Sequence, residues 1–315
     1  MSESIARKAV QFWGLGGRPL ELVARRENTV YRVTDGPDSY ALRLHRMGYR
    51  TRAELTSELE WMGVLARGGL SVPAPLKTTS HALSVEVEGV LVDLLCWASG
   101  APLGKAGQLQ GIENRLEFCR MLGAQMAVLH RLSDEWKRPG SFTRPSWDRA
   151  GLLGEHPLWG RFWDHPHLSA EDRALLITVR ERADAALARV ETQLDYGLIH
   201  ADLLSENMLW DGTRLTFIDF DDGGFGFRDF ELATFLMRYL DAPDYPELQA
   251  ALLDGYRVRR RVDPDNLRLF ILLRALTYPG WIIDRLGEPG AGVRSERALD
   301  TALKLARDYM DKEER

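Results

Sequence analysis

Polar residues between positions 200 and 219 have the types and spacing that phosphoryl transfer requires. His200 and Asp202 follow a short apolar run, Asn207 comes five residues later, and Asp219 ends the apolar run that begins at Leu215. Phosphoryl transfer needs a carboxylate that accepts the proton of the attacking hydroxyl, and hard oxygen ligands that hold Mg²⁺ across the phosphates. Carboxylate and amide oxygens suit Mg²⁺. The spacing therefore predicts that Asp202, Asn207 and Asp219 lie together at one edge of two buried strands.

The elements predicted in the first third of the chain are strands around one helix. Alternating, β-branched runs indicate strands at Thr29–Val33, Tyr40–His45, Leu83–Val87 and Val90–Leu95. Apolar residues at helical spacing predict a helix over Arg52–Arg67, which Gly68 and Gly69 end.

Beyond Gly100 the pattern becomes helical. Helices are predicted at Arg115–Leu132 and Ala170–Leu194, and buried strands at Gly197–His200 and Leu215–Asp219. The Pro-, Gly- and Trp-rich segment Lys137–Leu168 is interpreted as an irregular excursion. From Phe230 onward we expect helices that are broken at the prolines Pro243, Pro246, Pro264, Pro279 and Pro289.

Composition narrows the class of protein. The 315 residues include 41 Lys and Arg against 46 Asp and Glu, a net charge of −5, with 45 % hydrophobic residues. These values are typical of a globular protein and exclude disorder, and the mild acidity argues against a nucleic-acid partner.

The most apolar stretches, Val90–Trp97 and Leu269–Leu276, are interrupted by Asp93 and Arg274, so no membrane span is expected. Two cysteines form no disulfide framework, and we expect a reducing cytoplasm.

The motifs resemble those of the aminoglycoside phosphotransferase-like family, which includes choline kinases, type II homoserine kinases and stress-response kinases. Residues 200–207 resemble the kinase catalytic loop H-x-D-L-x-x-x-N, with Ala201 where protein kinases have Arg. Ile218-Asp219-Phe220-Asp221 resembles the metal-binding D-F-G segment, with Asp221 in place of Gly. Tyr40–Thr51 resembles the stress-response branch, and the resemblance covers most of the chain.

This resemblance implies an α+β, bilobal, protein-kinase-like fold. Residues 1–95 would form a nucleotide-binding lobe with a small antiparallel sheet and one main helix. Residues 96–100 would form a hinge, and residues 101–315 a larger, mostly helical lobe that carries the catalytic and acceptor-binding residues.

The resemblance also implies roles in the catalytic segment. Asp202 would be the catalytic base, His200 would brace the loop through hydrogen bonds, and Asn207 and Asp219 would hold Mg²⁺. Three alternatives stay open for Asp221: a carboxylate that supports the metal ligands, an accessory metal ligand, or a residue of a solvated turn. The segment Phe225–Ala233 resembles a helix start whose acidic residue accepts hydrogen bonds from the catalytic loop, and either Asp229 or Glu231 would take that part.

On the nucleotide side, Asn28 and Thr29 belong to the run Glu27–Val33, which stands where kinases place their phosphate-covering hairpin. Arg43 takes the position of the phosphate-binding Lys and can bind phosphate through two hydrogen bonds. Glu58 would pair with Arg43, with Glu54 as the alternative. The Cys96 carbonyl and the Ala98 amide would meet the adenine edge of ATP, and Cys96 is expected to be a buried small residue.

Four residues are candidates for binding the phosphate acceptor: Arg274, Tyr278, Trp281 and Asp284. Pro279 and Gly280 would break the helix and turn these side chains toward the site. Trp281 and Asp284 would hold a cationic amine, or Trp281 would simply pack against other helices.

Together these features predict an ATP- and Mg²⁺-dependent phosphotransferase. Its partners would be a nucleotide and a small molecule whose hydroxyl it phosphorylates, such as an amino alcohol, a hydroxyamino acid or an amino sugar. The alternatives are a Ser/Thr protein kinase of the bacterial stress-response type and a pseudokinase that acts as a nucleotide-binding module.

Overall fold

Strands concentrate near the N-terminus and helices near the C-terminus. The computed structural model describes residues 2–25, 28–104 and 108–313. The helices are α1 Ser2–Ala9, α2 Arg52–Arg67, α3 Arg115–Glu135, α4 Arg149–Leu153, α5 Ala170–Val190, α6 Arg228–Leu236, α7 Tyr245–Arg257, α8 Pro264–Ile282 and α9 Ala291–Glu313. The strands are β1 Leu20–Arg25, β2 Thr29–Asp35, β3 Asp38–Leu44, β4 Ser84–Val87, β5 Val90–Cys96, β6 Ala101–Pro102, β7 Ser146–Trp147, β8 Tyr196–Ile199, β9 Met208–Trp210, β10 Leu215–Phe217 and β11 Gly224–Phe227.

These elements group into two compact units. The first contains Met1–Ile112, Arg131–Arg144 and Ser205–Asp221, and the second contains Glu113–His130, Pro145–Leu204 and Asp222–Arg315. The division into lobes at residues 96–100 stays a prediction.

The first unit contains the predicted antiparallel sheet, with strand order β1-β2-β3-β5-β4. The buried residues of β2, Tyr31 and Val33, alternate along the strand because successive side chains point to opposite faces. On β3 the last three residues, Leu42, Arg43 and Leu44, are all buried. A second, three-stranded sheet has the order β10-β9-β6.

Helix α2 has the bounds predicted for it. Thr51 caps its start, where the Thr51 hydroxyl accepts from the Glu54 amide and the Glu54 carboxylate accepts from the Thr51 amide. Beyond its end, Gly69 adopts a left-handed φ of 87°, a conformation open to glycine at little cost. The buried residues of this helix include the predicted stripe Leu55, Leu59, Met62 and Leu65.

The second unit holds most of α3, the helices α4 to α9 and a small sheet of order β7-β11-β8. Strand β11 runs antiparallel to β8 and parallel to β7. The predicted strand at 197–200 is confirmed as β8, whose Leu198 and Ile199 are fully buried. No helix in the described ranges has the length and apolar character needed to cross a membrane.

Three predictions of local structure were wrong. Helix α8 continues through Pro279, because the helix needs only to lose one backbone hydrogen bond there while its buried face keeps its packing. Segment 137–168 contains β7 and α4 and buries Trp147 and Trp159, so it is part of the core. Strand β10 ends at Phe217, which leaves Asp219 beyond the strand end with a left-handed φ of 65°.

Candidate active site

Arg43 lies at the centre of a buried ion cluster in the first unit. Its cross-strand partner on β5 is Asp93, and the Nε and Nη2 atoms of Arg43 donate to the two Asp93 oxygens at 3.0 and 2.9 Å. His45 also bonds Asp93. Burial alone would lower the pKa of Arg43, but the Asp93 and Glu58 carboxylates outweigh it and raise this pKa. Arg43 is therefore a permanent cation.

Glu58, from α2, is the second partner of Arg43. Its Oε1 atom lies 3.0 Å from Arg43 Nη2, so the predicted pairing is present and involves Glu58, while Glu54 caps the helix instead. Burial would raise the pKa of Glu58, yet the charges of Arg43 and Arg144 lower it. The Nη1 atom of Arg43 has no hydrogen-bond partner among the residues that the structure describes, so it is able to donate to a ligand.

Asn28 and Thr29 stand where the chain enters β2. Thr29 begins β2 opposite Leu44, and the Asn28 side-chain oxygen accepts a 3.3 Å hydrogen bond from the Arg46 amide. This bond uses the oxygen of Asn28 to close the open end of the β2–β3 hairpin. Glu27, which precedes it, lies outside the described residues.

Cys96 and Ala98 lie at the end of β5. Cys96 is the last residue of this strand, and its amide donates to the Ala74 carbonyl at 2.8 Å. Its side chain is exposed, so the expectation of a buried Cys96 was wrong: the burial of β5 ends at Leu95, one residue before the strand does. The Ala98 amide makes no hydrogen bond within the described ranges, which leaves it able to donate to a ligand.

Asn207 and Asp219 lie at the same end of the β9–β10 hairpin. The strands are in register from Phe217 opposite Met208, and the next pair is joined by a 3.0 Å hydrogen bond from the Ile218 amide to the Asn207 carbonyl. Asp219 is exposed. This donor set of one amide and one carboxylate oxygen suits a hard cation such as Mg²⁺. Among the described residues, no group of three His, Cys, Asp or Glu side chains is arranged to hold a metal.

The loop that carries Asp202 is fixed by Glu231 in the second unit. The two Glu231 oxygens accept from the amides of His200 and Ala201 at 3.0 and 2.7 Å. Of the two candidates, Asp229 and Glu231, it is therefore Glu231 that accepts hydrogen bonds from the catalytic loop. Burial raises the pKa of Glu231 to about 7, against the opposing effect of these amide bonds. Ala201 is left-handed, with φ 67°, so the loop is strained and its surroundings hold it.

Asp202 is paired with Arg274 of α8. Arg274 Nη2 lies 2.8 Å from Asp202 Oδ1, and the Asp202 side chain remains 20 % exposed. Arg274 is itself buried, and its Nη1 donates to the Thr277 hydroxyl at 2.9 Å. Burial lowers the pKa of Arg274 despite the attraction of Asp202. The guanidinium thus fixes the orientation of a carboxylate that keeps access to solvent.

Trp159, which the sequence analysis missed, lies against Arg274. The Arg274 guanidinium carbon lies 4.6 Å from the centre of the Trp159 ring. Trp159 donates through Nε1 to Asp222 Oδ1 at 3.3 Å, and Trp147 donates to the Asp222 carbonyl at 2.9 Å. The irregular pattern of segment 137–168 concealed both tryptophans, and their size alone was the signal that they are buried.

The other acceptor candidates lie at the end of α8 and just beyond it. Tyr278 stacks on Trp281 with ring centres 5.2 Å apart, and the Arg285 guanidinium carbon lies 3.9 Å from the Trp281 ring centre. Trp281 already has a cation partner of its own, which favours the packing alternative for this residue. Asp284 lies in a 3₁₀ turn and is exposed.

Comparison with known proteins agrees with these features. A model of the phosphotransferase enzyme family matches residues 20–270. Amicoumacin kinase of Bacillus subtilis (strain 168) is 26 % identical, over 91 % of this chain and 88 % of its own length. The structure of a microcompartment-associated aminopropanol kinase matches with a TM-score of 0.85 and 29 % identity over 98 % of both chains.

A further structure, amicoumacin kinase hAmiN in complex with AMP-PNP, Ca²⁺ and Ami, matches with a TM-score of 0.74 and 20 % identity over 96 % of this chain and 93 % of that one. These structural matches confirm the α+β, protein-kinase-like fold. The family match covers 251 of the 315 residues, counted from 20 to 270. The chain therefore belongs to the phosphotransferase enzyme family.

Proposed function

We propose that this protein is an ATP- and Mg²⁺-dependent kinase that phosphorylates a hydroxyl group of a small molecule. Amino alcohols, hydroxyamino acids and amino sugars are the acceptor classes to which the proposal extends. Support comes from the family and from two similar proteins whose names identify them as kinases of aminopropanol and of amicoumacin.

The observation that carries the proposal is the restraint on Asp202. A buried carboxylate, Glu231, fixes the backbone just before it, and a buried guanidinium, Arg274, fixes its side chain at 2.8 Å. Two restraints on a carboxylate that keeps 20 % of its surface exposed are what a preorganised general base requires.

In this proposal Asp202 orients the acceptor hydroxyl and takes its proton. The acceptor oxygen forms a bond to the terminal phosphorus of ATP, and the bond between that phosphorus and the bridging oxygen of the departing ADP breaks. Mg²⁺, held by Asn207 and Asp219, would offset the negative charge of the phosphates. His200 supports the loop through the hydrogen bond that its backbone amide donates to Glu231.

The nucleotide would be held by residues of the first unit. Arg43, kept charged and oriented by Glu58 and Asp93, would bind phosphate through its Nη1 atom. Asn28 and Thr29 would line the turn near the phosphates, and the Cys96 carbonyl and Ala98 amide would bond the adenine edge. The complex of hAmiN with AMP-PNP and Ca²⁺ supports the use of a nucleotide with a divalent cation.

The experiment is an assay of ADP release with ATP, Mg²⁺ and a panel of hydroxylated small molecules. We expect at least one amino alcohol, hydroxyamino acid or amino sugar to stimulate ADP release. If phosphate instead appears only on added protein substrates, the small-molecule proposal is wrong. A melting temperature indifferent to ATP, with and without Mg²⁺, would contradict any nucleotide-dependent function.

A further inference from the structure

Arg144 joins two parts of the first unit that the proposed chemistry must keep in register. Its side chain is completely buried. The Nη1 atom donates to Glu58 Oε2 at 3.3 Å and to the Glu54 carbonyl at 3.2 Å, both on α2. The Nη2 atom donates to the carbonyls of Phe220 and Asp221 at 3.0 and 2.6 Å. One guanidinium therefore bonds α2 on one side and the backbone directly after Asp219 on the other.

The backbone at Asp219 needs such support. Asp219 is not glycine yet has a φ of 65°, a conformation that persists only where surrounding contacts hold it. The carbonyls of Phe220 and Asp221 follow immediately, and both residues are buried. Buried carbonyls that lose their donors incur a desolvation cost. Arg144 therefore satisfies the two carbonyls that determine where the strained residue places its carboxylate.

The same guanidinium completes a charge-balanced cluster. Glu58 is fully buried and accepts from Arg43 through Oε1 and from Arg144 through Oε2. Asp93 balances Arg43 on its other side. Without Arg144, one oxygen of a buried carboxylate would lose its ionic partner, and Glu58 would have Arg43 as its remaining cation. The candidate phosphate ligand Arg43 and the candidate metal ligand Asp219 are thus linked through Glu58 and Arg144.

We propose that Arg144 is a positioning residue that holds the backbone after Asp219 against Glu58 and so sets the metal-binding carboxylate relative to Arg43. This inference rests on the proposed function, because it assigns Asp219 to a metal. It predicts that Arg144 acts on divalent-metal affinity, although it is not itself a ligand. Lys in its place would keep the charge, but it has no planar fork that donates in two directions.

The test compares the wild type with Arg144→Lys, Arg144→Met and a matched control, Ser57→Ala. The Ser57 hydroxyl accepts from the Thr143 amide at 2.9 Å, so the control breaks a partly buried contact between the same helix and the same segment. It leaves Glu58 and residues 220–221 untouched. Mn²⁺ affinity is measured by calorimetry at saturating ADP, and the Mg²⁺ concentration for half-maximal ADP release is measured in parallel. Unfolding midpoints monitor stability.

We expect Arg144→Met to weaken Mn²⁺ binding by about 10- to 100-fold, the range seen when groups that orient metal ligands are removed. The Mn²⁺ affinity of Arg144→Lys should lie between those of Arg144→Met and the wild type. Ser57→Ala should lower the unfolding midpoint and leave the Mn²⁺ affinity unchanged. If Arg144→Met does not fold, Arg144→Lys alone decides the question. Equal Mn²⁺ affinity in the wild type and the folded Arg144 variants would overturn the inference. Failure of the wild type to bind Mn²⁺ with ADP would instead overturn the proposed function, and this inference with it.

Discussion

Replacing Arg274 by Met separates the role of this residue in activity from its role in stability. The substitution removes the 2.8 Å ion pair with Asp202 and keeps a side chain of similar length in the core. Burial lowers the pKa of Arg274, which means that the folded state disfavours the charged guanidinium. Removing one ion of a buried pair is strongly destabilising when it leaves the other charge buried without a partner, so the cost depends on whether Asp202 can be hydrated.

The magnitudes follow from what each partner loses. Asp202 is 20 % exposed and can be hydrated, and the Thr277 hydroxyl keeps its 2.7 Å bond to the backbone carbonyl of residue 274. We therefore expect the free energy of unfolding to change by less than about 1 kcal/mol. Losing the orientation of the base should lower kcat about 100-fold, which corresponds to about 2.7 kcal/mol in the activation free energy.

The assay pairs steady-state ADP release with urea unfolding, and Arg260→Met is the control. Arg260 donates hydrogen bonds to both oxygens of Asp195 at 2.9 Å or less, and it has no part in the proposed reaction. This control should lose about 1–2 kcal/mol of stability and retain its kcat. The reasoning is refuted if Arg274→Met unfolds several kcal/mol more easily while its kcat stays at the wild-type value.

Two further predictions concern stability. Burial raises the pKa of Asp229 to about 7, so the folded state binds this proton more tightly than the unfolded chain does. The protonated carboxyl therefore contributes to the free energy of unfolding. This contribution is complete below the unfolded pKa and is lost as pH rises through about 7. Wild-type stability should fall by roughly 2–3 kcal/mol more than that of Asp229→Asn between pH 5 and pH 8 in urea titrations, and parallel curves would contradict this. Gly280→Ala should lower the unfolding free energy by about 1–3 kcal/mol, because its Cβ would lie 2.4 Å from the Gly160 carbonyl oxygen and 2.6 Å from that of Trp159. An unchanged urea midpoint would contradict this prediction, because it would mean that the backbone of residues 159–160 shifts at no measurable cost.

Local signals explain why the sequence predicted some elements well. The apolar spacing of α2, the capping residue Thr51 and the terminal glycines all act within a few residues, and the helix has the predicted bounds. The pairing of Arg43 with Glu58 was also predictable, because the resemblance assigned Arg43 to the strand position of the phosphate-binding Lys and Glu58 to the helix position that pairs with it.

Two other charged residues carried a signal whose meaning the sequence left open. Asp93 and Arg274 interrupt the two most apolar stretches of the chain. In the structure these residues are the buried partners of Arg43 and Asp202. A charge inside an apolar run is costly unless it is paired, so such an interruption indicates a buried ion pair. The identity of the partner depends on tertiary structure.

The features that sequence analysis missed depend on contacts between distant segments. The role proposed for Arg144 depends on its hydrogen bonds to acceptors on α2 and on residues 220–221. Trp159 belongs to a segment without periodicity, yet it contacts Arg274 and Asp222. The choice of Glu231 over Asp229 likewise depends on which side of α6 approaches the catalytic loop. None of these contacts leaves a pattern in neighbouring residues.

The most direct test of the central claim is the effect of Asp202→Asn on ADP release with an acceptor that stimulates the wild type. The amide oxygen of Asn can still accept from Arg274, so the site keeps its geometry while losing its proton acceptor. We predict that kcat falls by about 100- to 10,000-fold, and that the shift of the melting temperature by ATP and Mg²⁺ stays that of the wild type. Acceptor-dependent ADP release at the wild-type rate would contradict the assignment of Asp202 as the base.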